Sequence, residues 1–271
     1  MLGFIQGRAS KAYSKKIQEF PWLSWREEFY LASPAFNVME WTLDIGSLYK
    51  NPIMTKEGQK IILSKISKTK LAVDSLTADF FMQRPFWLSD IEMTKIFSDV
   101  MHACKSVGIK IIVVPLVDES SITSRDLENK VINFFNDEIA ESLERLNLRV
   151  AFESDFEPKR LQNFINCFDN SVFGINYDIG NSACYGFNPD KEFQAYGEKI
   201  INVHIKDRKI NGPTIPLGMG DAEFKKVFKL LRSFKYNENL ILQCARKRDN
   251  GLKDLMDYKS FLIEHNYVKE I

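Results

Sequence analysis

The feature that most constrains the fold of this chain is an eightfold alternation. Short runs rich in β-branched and aromatic residues are separated by longer segments whose apolar residues recur every three or four positions. That is the pattern of βα units and of a parallel sheet, because parallel neighbours need a crossover long enough to hold a helix. The runs cover residues 2 to 7, 36 to 43, 70 to 78, 109 to 117, 148 to 154, 172 to 178, 200 to 206 and 239 to 245. Eight such units in 271 residues match the length of a closed barrel, about 250 residues. No Ser/Gly-rich linker, low-complexity tract or composition break divides the series. The expected architecture is one domain, residues 1–271, folded as a single (β/α)8 TIM barrel.

The intervening segments carry helix signals of their own. Ser89 followed by Glu92 forms a capping box; Ile96, Phe97, Val100, Met101 and Cys104 then share one face, and Gly108 ends the helix. The next helix spaces Ile132, Phe135, Ile139, Leu143 and Leu146 on its apolar side and leaves Glu138, Glu141 and Glu144 to solvent. Pro158 and Asp221 mark two further N-termini, and the last helix runs from about Leu252 to Ile263.

Four polar residues sit near the ends of successive strands: Glu153, Asp178, His204 and Gln243, spaced 25, 26 and 39 residues apart. Each interval holds one βα unit, so a closed barrel would bring all four to the end where such barrels place their chemistry. Glu, Asp and His are standard ligands for a divalent metal, and Gln is a weaker one. Strand parity puts Asn202, His204 and Lys206 on one face, Glu153 with Asp155, and Asn176 with Asp178, while Val203 and Ile205 face the helices. A purely structural barrel would fill these interior layers with branched apolar residues.

Taken singly, any of the four is as readily a loop cap or half of an ion pair; one shared phase over four repeats favours a site. His102 and His265 read as surface or packing histidines, and Cys184 as an inert packer. Gln6, Glu40, Trp41 and Phe81 are candidate substrate-lining residues by strand-end position, with Trp41 placed to cover a sugar ring. In the loop IPLGMGDAEF, Gly218 and Gly220 allow tight turns or close ligand approach. The helix N-terminus there suits an anionic group, with Arg208 and Arg246 as nearby cations.

Bulk properties narrow the partners. Thirty-seven basic residues against thirty-six acidic give a net charge of +1, which offers no field for nucleic acid or an acidic membrane. Four cysteines form no framework, the N-terminus shows no signal-length apolar stretch, and no membrane-spanning run occurs, so a cytoplasmic location is expected. The oligomeric state is left open, a homodimer being one assembly.

The segments GFIQGR, NVMEW, VAFESD, NYDIGNSA, NVHIKDR, PLGMGDAEF and LQCAR resemble, in this order, those of xylose isomerase-like TIM barrels, the sugar phosphate isomerases and epimerases. The resemblance covers essentially the whole chain. It implies one divalent ion (Mn, Mg, Co or Zn) and ligands Glu, Asp, His and Glu, of which the two glutamates also shuttle the substrate proton. Glu153, Asp178 and His204 fall on the first three positions, whereas Gln243 departs at the fourth and Asn181 stands where a histidine is frequent. The multi-zinc DNA repair endonucleases of the broader superfamily need more histidines than the three here.

The expected function is therefore an isomerase or epimerase of a sugar or sugar phosphate. Glu153 would act as base and metal ligand, Lys206 as stabiliser of an enediolate, and Asn181, Arg208 and Arg246 would bind substrate. Glutamine cannot accept a proton at neutral pH, which favours a one-base reaction. The competing readings are a metal-dependent dehydratase or lyase on a polyol or keto acid, and a non-catalytic sugar-binding barrel.

Overall fold

The computed structural model describes residues 1–11, 19–88, 91–247 and 250–269. Eight parallel strands close into a barrel: β1 (Leu2–Ile5), β2 (Val38–Thr42), β3 (Ala72–Thr77), β4 (Ile111–Leu116), β5 (Arg149–Ser154), β6 (Phe173–Asp178), β7 (Ile200–Ile205) and, after a short ribbon of β8 (Asp207–Arg208) and β9 (Thr214–Ile215), β10 (Leu240–Leu242). β10 returns beside β1, with Leu2 opposite Leu240, so the barrel has no free edge. Each barrel strand lies within its predicted run. The last is the most curtailed, so Gln243 falls just beyond β10, although its N–H still donates to Ile205 O at 3.0 Å.

Strand alternation sorts the side chains into two cores. Phe4, Met39, Trp41, Val114, Phe152, Phe173 and Val203 point outward into the layer between barrel and helices. The centre of that layer is aromatic: Phe81, Phe86, Phe97, Phe134, Phe135, Phe152 and Phe173 are linked by ring contacts with centroids 4.8 to 6.1 Å apart. Inside the barrel the apolar filling is sparse. Ile5, Val38 and Ile241 form one small group, and Ile111, Val113 and Ala151 another, against which Ile201 packs. Apart from Pro115, the remaining interior positions toward the C-terminal ends of the strands are polar.

The helices follow their predicted faces with two differences. The segment expected to run through Phe135 divides into Arg125–Asn133, a π-helical turn Phe134–Ile139, and Ala140–Leu146. Phe134 and Phe135 are both buried, and the wider turn accommodates two adjacent rings facing the same core. Asp221 caps no helix: it accepts from Ile210 N at 2.8 Å and pairs with Lys209, while the helix begins at Phe224. The Ser89 capping box lies outside the described residues, but the helix Ile91–Val107 buries Ile96, Phe97, Val100, Met101 and Cys104. Pro158 opens the helix Pro158–Ile165 as expected, and the last helix is Gly251–Glu264. Among the described residues no helix is long and apolar enough to cross a membrane.

Candidate active site

Three of the four expected ligands meet. Glu153 at the end of β5, Asp178 at the end of β6 and His204 in β7 each offer one ligand atom, and these atoms lie within 4.8 Å of one another. Register explains the meeting. Asp178 stands opposite His204 and Asn176 opposite Asn202, after a shift between Ile175 and Asn176 that gives β7 one extra residue. That residue, Ile201, joins the apolar interior, and the polar phase resumes at Asn202.

Hydrogen bonds hold the cluster from below. Asn176 Nδ2 donates to Glu153 Oε2 at 2.7 Å and lies 3.1 Å from His204 Nδ1, while its Oδ1 accepts from Asn202 at 2.9 Å. Glu40 reaches in from β2: its Oε1 is 2.7 Å from His204 Nε2, and its Oε2 accepts from Ser75 and Asn202 at 2.7 and 3.0 Å. A carboxylate on the far ring nitrogen fixes the tautomer that leaves Nδ1 free as a ligand, the arrangement common behind metal-bound histidines. Glu40 is fully buried. It orients the imidazole and does not line the substrate space, which corrects the expectation drawn from its strand-end position.

From above, the short helix Ile179–Cys184 locks the carboxylates. Asp178 Oδ1 caps it by accepting from Asn181 N at 2.8 Å, and Asn181 Nδ2 donates to Glu153 Oε1 at 2.7 Å. Asp178 Oδ2 is buried without a well-directed hydrogen bond and faces Lys206 Nζ at 2.5 Å. Gln243 Oε1 in turn accepts from Lys206 at 3.1 Å, so Gln243 meets the cluster through the lysine.

The electrostatics suit a cation. Burial disfavours the charged form of His204, but the charge of Glu40 and the hydrogen bonds the ring donates to Glu153 and Glu40 outweigh it and raise its pKa to about 10. Burial likewise opposes ionisation of Glu153, yet the hydrogen bond and charge of His204, with Lys206 and Asn176, bring its pKa below the ordinary value. For Asp178, burial prevails and the pKa rises despite Lys206. Counted formally, the carboxylates of Glu40, Glu153 and Asp178 face only Lys206 and protonated His204, leaving one negative charge. A divalent ion taking the place of the His204 proton would make the group neutral. The donor set, its burial and its charge therefore fit such an ion.

The cluster opens on a cavity of about 470 Å³ whose wall includes Arg8, Glu153, Asn181, Lys206, Arg208 and Gln243. A larger depression of about 1060 Å³ lies on the outer helices around Phe86 and Lys130; it holds none of the ligand cluster and is on the wrong side of the sheet for its chemistry. Asn181 and Arg208 lie beside the cluster, joined by a hydrogen bond of 2.9 Å.

Other expected lining residues are elsewhere. Trp41 is fully buried behind β2 against Phe20 and Trp25, its Nε1 donating to Asn51, so it cannot cover a sugar; it points outward because Glu40 beside it points inward. Phe81 belongs to the outer aromatic core. Gln6 is fully buried with Oε1 accepting from Thr42 N, and Arg246 binds Ser10 O at 2.8 Å, fixing the first loop. The amides of Gly218 and Gly220, free in sequence to meet an anion, donate to the carboxylate of Asp207 at 2.9 and 2.8 Å. Asn176 and Asn202 were legible as inward residues but not as the bridge between Glu153 and Glu40. Arg8 was missed, although it lies in GFIQGR next to the strand end that drew attention to Gln6.

A buried Glu, Asp and His group of this kind at the C-terminal end of an eight-stranded barrel could hold a metal ion in an enzyme scaffold, and the chain belongs to the xylose isomerase-like TIM barrel family, whose model matches residues 44–262. Among individual relatives, L-ribulose-5-phosphate 3-epimerase UlaE of Escherichia coli (strain K12 / DH10B) is 23% identical over 227 residues, 78% of this chain and 79% of that protein. The fold is shared with the crystal structure of the IOLI protein with a zinc atom bound, at 15% identity, TM-score 0.76 and 99% coverage of both chains. It is shared equally with D-psicose 3-epimerase crystallised in the presence of D-fructose, at 10% identity, TM-score 0.76, and 98% and 99% coverage.

Proposed function

We propose that this chain is a metal-dependent isomerase or epimerase of a sugar or sugar phosphate, working by proton abstraction α to a carbonyl through an enediolate. The observation that carries the reading is the buried Glu153, Asp178 and His204 cluster beside a cavity of sugar size. Glu153, Asp178 and His204, with the amide oxygen of Gln243, would hold a Mn, Mg, Co or Zn ion, which when bound supplies Lewis-acid polarisation of substrate oxygens. The relatives named as ketose and ketose-phosphate epimerases support a small carbohydrate as substrate.

Glu153 is the base. It is ionised, it lines the cavity, and two asparagines and His204 hold its carboxylate in one orientation. It takes the proton from the carbon next to the substrate carbonyl, and Lys206, an ammonium in the same wall, stabilises the charge that develops on the enediolate oxygen. Return of the proton from the same carboxyl to the neighbouring carbon, with the hydroxyl proton passing to the former carbonyl oxygen as the new carbonyl forms, completes an aldose–ketose isomerisation. Gln243 offers no second base, which favours this course over inversion between two opposed carboxylates.

The test is solvent deuterium exchange into ketoses and ketose phosphates. The wild type should wash deuterium into a turned-over substrate, and Glu153→Gln should abolish the exchange while the protein stays folded. Full exchange by that variant would sink the mechanism.

A further inference from the structure

We propose that the substrate carries an anionic group, a phosphoryl or a carboxylate, and that Arg8 is its receptor; the inference deepens the isomerase reading and takes from it the identity of the cavity as the substrate site. Arg8 is 4% exposed, yet it lines that cavity together with Glu153, Lys206 and Arg208. Its Nε donates to the carbonyl of Cys244 at 3.1 Å, a neutral acceptor. No carboxylate of the described residues lies within ion-pair distance of its guanidinium, although Asp79 and Glu28 are near enough to favour its charged form. Burial and the neighbouring Arg246 lower its pKa to about 10, which leaves it charged at neutral pH.

A buried guanidinium without an anion is costly, and proteins normally supply a carboxylate. Here none of the wall's carboxylates pairs with it. Glu153 is occupied by His204 and two asparagines, Asp79 accepts from Thr77, and Asp118 lies on the exposed rim. Arg208, the second arginine of the wall, is likewise bonded to neutral acceptors, Gly212 O and Asn181 Oδ1.

The loop that carries Arg8 is held rigidly. The buried carboxylate of Glu28 accepts from Gly7 N, Ala9 N and Ser10 N at 2.8, 3.0 and 2.9 Å, and Arg246 fixes Ser10 O. The start of the last helix packs directly on it, since a Cβ at Gly251 would come within 2.1 Å of Arg8 O. Such preorganisation fits a residue that must meet its ligand in one geometry, and the planar fork of arginine matches two oxygens of a phosphoryl or carboxylate group.

Binding of ribitol, ribitol 5-phosphate and ribonate to the metal-loaded protein, followed by titration calorimetry, tests the proposal. The wild type should bind at least one anionic polyol about tenfold or more tightly than ribitol, and the better of the two identifies the group. Arg8→Met should remove that preference, while Arg8→Lys, keeping charge without the fork, should retain part of it. Equal wild-type affinity for the three polyols, or a preference undiminished in folded Arg8→Met, overturns the proposal. Deuterium exchange into a free ketose, its phosphate and the matching keto-uronate at equal kcat/KM also overturns it and leaves the isomerase reading standing. Absence of exchange with every probe, with a preference for the charged polyol that Arg8→Met removes, ends the isomerase reading and upholds the receptor.

Discussion

His204 owes its orientation to a residue on the far side of the barrel interior. Glu40 is tied to Ser75 and Asn202 as well as to the imidazole, so it is a fixed acceptor, and its replacement by a neutral amide removes both the charge and the preference for the Nε2–H tautomer. Glu40→Gln should weaken divalent metal binding by about 10- to 100-fold, measured by competition with a chromophoric chelator; unchanged affinity would refute the role given to Glu40. At this scale the sequence was informative about direction and silent about partners. Parity identified Asn176, Asn202 and His204 as inward residues, while Glu40 stood out only by its strand-end position. Which of them touch depends on the register shift in β7 and on which strands face each other across the barrel, and no local pattern encodes either.

Among the elements, the short helix after β6 does the most for the site. It is capped by Asp178, carries Asn181 to Glu153 and lies against Lys206 so closely that a Cβ at Gly180 would fall 2.8 Å from Lys206 Cγ and 3.0 Å from its carbonyl carbon. Gly180→Ala must therefore move either the helix or the lysine. The expected cost is about 1–3 kcal/mol, seen as a lower urea midpoint, together with slower deuterium exchange; wild-type values for both would show that the close packing is unimportant. The motif NYDIGN was legible as a strand end, but the six-residue helix was not, because it is too short for a periodic apolar face. The π turn at Phe134–Ile139 escaped for the opposite reason: the apolar spacing around it is regular enough to read as one continuous helix. Asp221 looked like an N-cap by residue type, whereas its carboxylate is taken by Lys209 and Ile210 N in the preceding loop.

For the whole molecule the controlling quantity is the charge of the barrel's polar end. The eight runs, their order and their closure were all readable, because burial on both faces and a helix between each pair leave a parallel barrel little freedom. The electrostatic balance was not, since Glu40 was missing from the ligand count. Without metal, His204 has a pKa raised from 6.5 to about 10. Its raised value makes its contribution to stability complete below the unfolded pKa, and that contribution is lost as pH climbs toward 10. Urea midpoints of metal-free protein should accordingly fall over that window. At pH 7 a divalent ion must displace the His204 proton, so calorimetry in buffers of different ionisation enthalpy should register release of about one proton per ion; no buffer dependence would mean that the imidazole is already neutral. The bond between Glu40 and His204 also spans 164 positions of the chain. Synthesis delivers the second-strand carboxylate long before the seventh strand that bears its imidazole, and ring closure needs β10 later still. The site thus arrives with the final strands: a nascent or truncated half of this protein holds an acceptor with nothing to orient, and on the proposed reading competence to bind an ion would come only once assembly has finished.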